Sequence, residues 1–342
     1  MSNPDFSVVV PLYNKAETVT QTICSVLAQD FDSFEVIVVD DGSTDQGVRM
    51  VDAMDDERIR VIRQKNAGPG AARNAGMKVA RGEWIAFLDA DDLIATNHLS
   101  ELSCIAARHP DAGLIGSAFE EVHRGEVDLR PRAAGVIEVI DFFGQVANDG
   151  NPLCASSAAI RRGIPDAVGY FGKAKLGEDR EYWARIALSY PVVASSRITS
   201  YYRRDVGGAM AGASRRWLGK SLQCAGDIAP AAAVAERAAS DEAYAAMSDS
   251  LGRFVDQYVR YCLHASVAIG DIGTIRQLPG LYVVGPREED RIWLQVARLP
   301  RPMARLALLC VRISRFLSKR WSQTARPNAA MRRARVISHP GY

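Results

Sequence analysis

Phe34-Glu35-Val36-Ile37-Val38-Val39-Asp40-Asp41-Gly42-Ser43-Thr44-Asp45 and Trp84-Ile85-Ala86-Phe87-Leu88-Asp89-Ala90-Asp91-Asp92 share one pattern: an apolar run that stops abruptly in carboxylates. Short runs of this kind, rich in β-branched and aromatic residues, read as strands buried on both faces. Working outward, residues 6–12 and 59–62 are two more such runs, while Val19, Ile23, Val26 and Leu27 fall at helical spacing and 69–80 reads as a helix. Strand and helix alternate, so the expected architecture is α/β, a mostly parallel sheet covered by helices. Ligands of such sheets sit beyond the carboxyl ends of the strands, which is where these carboxylates fall.

The pattern continues with a helix over 93–108 and one or two strands over 112–123. It loosens between 150 and 210, where strands are expected near 154–160, 192–194 and 199–203 and a helix over about 178–189. Beyond residue 214 the chain reads as mainly helical, with helices over 229–247, 251–269 and 296–321 and no internal repeat. A length of 342 residues exceeds what one core usually organises, and the composition, 48% hydrophobic and 24% charged, is that of a folded globular chain. The six cysteines contain no C-x-x-C pair, so neither a zinc site nor a disulfide framework is expected, and a reducing compartment fits. Met1-Ser2-Asn3-Pro4-Asp5 runs straight into the first strand without an apolar leader, so no signal peptide is expected. No stretch reaches the roughly 18 apolar residues of a spanning helix.

Three clusters carry candidate chemistry. Asp40, Asp41, Asp45, Asp89, Asp91 and Asp92 follow two strands of one sheet and should face one crevice; carboxylates without His or Cys suit Mg²⁺ or Mn²⁺, although Asp and Ser at such places also make turns and helix caps. The segment Asn66-Ala67-Gly68-Pro69-Gly70-Ala71-Ala72-Arg73-Asn74-Ala75-Gly76 can bring backbone N–H groups near a ligand, with Arg73 a candidate contact, or it is a tight turn feeding a helix. It is not a dinucleotide fingerprint, since Arg73 stands at the third glycine position and the segment follows the third strand. Gly177-Glu178-Asp179 opens a helix, where acids are also common dipole partners.

In this order Val8-Val9-Val10-Pro11-Leu12-Tyr13-Asn14-Lys15, the Asp40 and Gly68 segments, Phe87-Leu88-Asp89-Ala90-Asp91-Asp92 and Gly177-Glu178-Asp179 resemble family 2 inverting glycosyltransferases of the GT-A fold, over about residues 6–205. The resemblance implies a GT-A catalytic domain over 1–212, with a nucleotide-sugar half to about 118 and an acceptor half over 119–212, followed by a helical extension over 213–342. It further implies that Asp41 reads a uracil ring beside Pro11, Tyr13 and Glu17, and that Asp91, with Asp89 near ribose and metal, ligates Mg²⁺ or Mn²⁺ on a nucleotide-sugar diphosphate. Asp179 matches the general base. Arg203 lies where the family places basic residues near the diphosphate, and Gly207-Gly208 suits a lid. The implied reaction is single displacement onto a hydroxyl of a saccharide or lipid-linked saccharide, in surface or exopolysaccharide synthesis. Competing readings are a silent nucleotide-sugar-binding relative, a phosphoacceptor or binding module, and a sugar nucleotidylyltransferase, which would need a basic Gly-rich loop where Pro11-Leu12-Tyr13-Asn14 stands.

Charge divides the chain: from Arg291 to Tyr342 there are 12 Lys+Arg and no Asp or Glu, which leaves residues 1–290 at a formal −10. With an apolar stripe over 296–321, the tail is expected to meet an anionic membrane surface, placing a cytoplasmic protein on the inner membrane face, or else to be a packing helix with a solvated basic face. Nucleic acid is not expected as a partner, because no stacking aromatics or base-reading motif accompany the charge.

Overall fold

The computed structural model describes residues 3–123, 126–148, 152–172, 178–204, 248–269, 275–276, 285, 287–300 and 303–304. Four parallel strands form one half of a sheet: β1 (Phe6–Leu12), β2 (Phe34–Asp40), β3 (Ile59–Arg63) and β4 (Trp84–Phe87). β1 is the centre of this half, pairing Val9 with Ile37 on one side and with Phe87 on the other. The other half holds β5 (Leu93–Ile94), β6 (Leu114–Val122), β7 (Ile137–Val139), β8 (Ala158–Arg161) and β9 (Val192–Arg203). The nine strands run β3-β2-β1-β4-β8-β6-β9-β5, with β7 pairing β9 off that path. β8 is antiparallel to both β4 and β6, while β6 and β9 are parallel.

Alternation along the strands explains the two-sided cover. Val8, Val10 and Leu12 of β1 pack with Val36, Val38, Ala86 and with helices α1 (Val19–Leu27) and α4 (His98–Arg108). The intervening Val9 meets α3 (Pro69–Val79) at Gly76, where a Cβ would lie 2.4 Å from Val9 Cγ1. On that face Phe87 also packs against Trp183 of α7 (Glu178–Ala187), with ring centroids 5.7 Å apart. Shorter helices α2 (Gly47–Asp52), α5 (Phe142–Ala147) and α6 (Ile164–Val168) complete this part of the chain.

Several expected elements change in ways that have local causes. The helix expected from 93 starts only at His98, because Leu93 and Ile94 pair antiparallel with Tyr201 and Ser200. The strands expected at 192–194 and 199–203 are one strand, β9. Polar Ser195 conceals the join, yet it is buried and its hydroxyl donates to Glu101 at 2.5 Å. The stretch expected as a strand from 154 begins with a 3₁₀ turn, Ala155–Ser157, before β8.

Contacts divide the chain into two compact units, Met1–Val259 with Tyr282–Gly285, and Arg260–Leu281 with Pro286–Tyr342. The domain boundary expected near 210–215, like the helix over 229–247, lies outside the described residues. Helix α8 (Ser248–Ile269) matches the helix expected at 251–269. Most of the basic helix expected over 296–321 lies outside the described residues; at its start, α9 runs Glu288–Arg298 and stops at Leu299, which is extended (ψ 157). Pro300 is the reason, since a residue before proline is driven out of the helical region. Among the described residues no helix is long and apolar enough to cross a membrane.

The turn into β4 sets a stringent requirement. Gly82 N–H donates to Ser7 Oγ at 2.8 Å, and a Cβ at Gly82 would lie 2.5 Å from Ser7 N and 2.6 Å from Phe6 C. Backbone cannot yield as a side-chain tip can, so Gly82→Ala is expected to cost about 2–3 kcal/mol, read as a lowered urea midpoint at unchanged slope.

Candidate active site

At the carboxyl ends of β1 and β2 two loops are stitched together. Asn14, at φ 52, accepts the Thr44 N–H at 2.8 Å and donates its own N–H to Ser43 Oγ at 3.2 Å. Asp45 accepts Ala16 N–H at 2.8 Å and Gly47 N–H at 2.9 Å, and Asp40 accepts Ser43 N–H at 2.9 Å. Asp40 and Asp45 are thus turn and cap residues. Pro11, Tyr13 and Glu17 lie at this end of the sheet, with Tyr13 46% exposed and Glu17 exposed.

Asp41 is buried and does something different. Its Oδ1 accepts Gln64 Nε2 at 2.7 Å and Ala67 N–H at 2.9 Å, and its Oδ2 accepts Gly68 N–H at 2.8 Å. This carboxylate therefore brings the glycine segment to the end of β2. Gly68 holds φ 92, a left-handed conformation that glycine adopts without strain, and Pro69 starts α3 immediately after it. A carboxylate has about four acceptor sites, so one remains for a ligand.

Beyond β4, each of three carboxylates has its own partner. Asp89 takes Arg73 Nη2 at 2.5 Å, Asp91 takes the Lys15 ammonium, and Asp92 takes the Ser156 hydroxyl at 2.5 Å and the Arg203 N–H at 3.0 Å. Thr18 and Thr22 of the α1 start fix the backbone between them, donating to Ala90 O at 2.9 Å and Asp92 O at 2.8 Å. Burial raises Asp91 above the usual carboxylate range, with Lys15 opposing and Asp89 adding to it. Asp92 is raised well above that range by burial and then by Asp89 and Asp91. With 1% exposure Asp92 acts as an internal tie between β4, β8 and β9.

Arg73 connects this cluster to the far helix. Its guanidinium is buried, with Nη1 on Glu178 Oε1 at 2.7 Å and Nη2 on Asp89 at 2.5 Å, and it sits 5.5 Å from the Phe171 ring centroid. Burial alone would lower its pKa, but Asp89, Glu178 and Asp179 outweigh it and push the value up. Burial raises Glu178, with Arg73 opposing and Asp179 adding. Arg73, expected to touch a nucleotide sugar, donates here to two protein carboxylates. Asp179 follows Glu178 on α7; its Oδ1 accepts the Arg180 N–H at 2.8 Å, and Oδ2 has no partner among the described residues. Arg203 donates Nη1 to Gln21 Oε1 at 2.6 Å and Nε to the Asp91 carbonyl, while its Nη2 is buried without a partner among the described residues. Gly207-Gly208 lies outside the described residues. Lys15, Gln21, Glu178 and Ser156 are the site residues that sequence reasoning did not assign, although Lys15 and Glu178 stand inside quoted motifs.

Among the described residues no group of three His, Cys, Asp or Glu side chains could hold a metal ion by itself. The donor set nevertheless fits Mg²⁺ or Mn²⁺ shared with a ligand's phosphates: such ions take few carboxylates, and Asp91 already carries a cation in the form of the Lys15 ammonium.

Residues 7–154 match the family model described as Glycosyl transferase family 2. The succinoglycan biosynthesis protein ExoO of Rhizobium meliloti is 47% identical over 100 residues, 29% of this chain and 29% of that protein. Glycosyltransferase GlyG of Streptococcus pneumoniae is 42% identical over 99 residues, 28% of this chain and 33% of that protein. The chain thus spans a third or less of the length of these relatives. Among solved structures, residues 1–349 of S. aureus TarS with UDP-GlcNAc superpose with a TM-score of 0.67 at 20% identity, covering 93% of this chain and 92% of that one. The mannosyltransferase PcManGT of Pyrobaculum calidifontis, with GDP-Man and Mn²⁺, gives 0.51 at 19% identity over 92% and 88%. At these identities the likeness speaks for the fold.

Removing Arg73 would leave Asp89 and Glu178 facing each other without a counter-charge. Arg73→Met is expected to lower stability by about 3–5 kcal/mol in chemical denaturation, and adding Glu178→Leu to recover part of that loss.

Proposed function

We propose that the chain, whose residues 7–154 match the glycosyl transferase family 2 model and whose fold is like that of TarS, is a family 2 glycosyltransferase of the GT-A fold that transfers a sugar, with inversion, from a UDP-linked donor to a saccharide or lipid-linked saccharide hydroxyl. The observation that carries this reading is the Arg73 bridge, which sets Glu178-Asp179 of α7 beside the Asp89 end of β4 although 105 residues separate Arg73 from Glu178. A proton acceptor and a diphosphate-binding carboxylate cluster then share one crevice. The succinoglycan role in the name of the Rhizobium relative supports an exopolysaccharide setting.

In this mechanism Asp41 takes the base of the nucleotide through its remaining acceptor site, with Pro11, Tyr13 and Glu17 around it. Asp89, held by Arg73, lies toward the ribose, and Arg203 offers its unpaired Nη2 to a phosphate oxygen. Asp91 would hold Mg²⁺ or Mn²⁺, which when bound supplies charge stabilisation to the departing diphosphate. Asp179 Oδ2 removes the acceptor hydroxyl proton as the new glycosidic bond forms. One base and one stabilised leaving group suffice for a single displacement, so no second carboxylate nucleophile is needed.

Asp179→Asn is expected to leave donor affinity within about twofold while lowering turnover by roughly 10²-fold or more. Donor affinity and single-turnover rate measured on the same protein decide it: collapsed affinity with normal turnover would make Asp179 a binding residue. Asp91→Asn is expected to abolish EDTA-sensitive transfer and weaken UDP-sugar binding; unchanged metal dependence would remove the assignment. Wild-type protein that binds UDP-sugar yet neither transfers nor hydrolyses it would favour the silent relative.

The reading extends to location. Twelve basic residues without an acid from Arg291 onward, and the exposed apolar side chains Ile292, Leu299 and Met303, support attachment to an anionic leaflet. Full-length chain should co-sediment with anionic but not neutral vesicles and be released by high salt, while a chain ending near residue 290 should stay in solution; equal behaviour of the two would exclude the tail.

A further inference from the structure

Asp89, Asp91 and Asp92 are compensated by three partners of unequal mobility. Arg73 is buried and pinned by a second carboxylate, Glu178, and Ser156 is buried beside β8. Lys15, the partner of Asp91, hangs on a four-carbon stem with its head at the rim: the two side chains are 15% and 17% exposed. Its backbone, in contrast, is fixed. Lys15 O accepts the Thr18 and Val19 N–H groups at 3.0 and 2.9 Å, and both neighbours are tied to the opposite loop, Asn14 through Thr44 and Ala16 through Asp45. Any movement at this position is therefore confined to the side chain.

The partner of Asp91 is also the one that a divalent ion would have to replace. An ammonium and a divalent ion repel each other strongly at the few ångströms that a shared carboxylate oxygen imposes. Asp91 without either cation would be a mostly buried carboxylate with Asp89 close by, an arrangement that burial and like charge both disfavour.

We propose that Lys15 is the resident counter-cation of Asp91 in the donor-free protein, displaced when metal and donor bind and transferred by side-chain rotation to a diphosphate oxygen. This rests on the glycosyltransferase reading above and adds a residue to it. The exchange conserves charge pairing, since Asp91 gives up the ammonium as it gains the metal and the diphosphate gains the ammonium as it enters. It also makes metal and nucleotide bind cooperatively: metal alone must evict Lys15 with nowhere for the charge to go, whereas the diphosphate supplies that place.

The test is the affinity for Mn²⁺ alone, by electron paramagnetic resonance, and for UDP at saturating Mn²⁺, by calorimetry, in wild type, Lys15→Met, Lys15→Gln and Lys15→Arg. Loss of the ammonium is expected to tighten Mn²⁺ alone and to weaken UDP, each by on the order of tenfold, the scale of one charge-assisted hydrogen bond. Lys15→Arg, which keeps a cation, should stay nearer wild type in both. Opposite shifts are the signature, because a merely structural salt bridge would weaken both affinities or neither. Unchanged or weakened Mn²⁺ binding in a folded Lys15→Met or Lys15→Gln protein, with wild type binding UDP and Mn²⁺ normally, overturns the proposal and leaves the glycosyltransferase reading standing. Wild type that binds neither overturns both.

Discussion

A guanidinium sealed from water between two carboxylates is the constraint on which the site depends. Arg73 leaves α3 close to the glycine segment that Asp41 holds, reaches Asp89 after β4, and meets Glu178 at the start of α7. A buried charge of this kind tolerates no misplacement of either partner, because an unpaired member costs several kcal/mol. Its position therefore fixes the distance between the end of the parallel half-sheet and the helix that carries Asp179. Phe171, stacked near Arg73 and packed against Phe87, Tyr182 and Trp183, closes the same region with apolar surface.

Around that tie the carboxylates divide their labour according to how completely the protein satisfies them. Asp40 and Asp45 spend their oxygens on backbone N–H groups of the loops, and Asp92 is enclosed by Ser156 and Arg203. Asp41 keeps an acceptor site in reserve. Asp91 is paired with the partly exposed Lys15 ammonium, and Asp179 has one oxygen without a partner among the described residues. The groups with unused or exchangeable capacity are those to which ligand chemistry is assigned. Turn-making therefore describes Asp40 and Asp45 of these clusters, and ligand-holding is the role proposed for Asp41 and Asp91.

Legibility follows the same division. The parallel half was readable because strands buried on both faces are mostly apolar, so 6–12, 34–39 and 84–88 announced themselves, while the edge strand over 59–62 showed as a short β-branched run with Arg60 exposed. The mixed half was harder. Leu93 and Ile94 look helical in a window continuous with 98–108, and they become a strand only because Ser200 and Tyr201 arrive from a hundred residues away. Ser195 looks like a break and is instead buried against Glu101. The stop of α9 before Pro300 was a local signal that a long cationic amphipathic pattern obscured.

By itself the sequence determined the α/β alternation, the carboxylates at the strand ends, the glycine approach to α3 and the acidic start of α7, because each follows from period, composition or backbone freedom within a few residues. Only the tertiary structure decided that Arg73 belongs to Asp89 and Glu178, that Lys15 belongs to Asp91, and that Asp92 belongs to Ser156 and Arg203. Those pairings join residues 16 to 111 positions apart. No local pattern encodes which charge meets which: the order of strands in the sheet brings the partners together, and the penalty of leaving a charge unpaired away from water makes them pair.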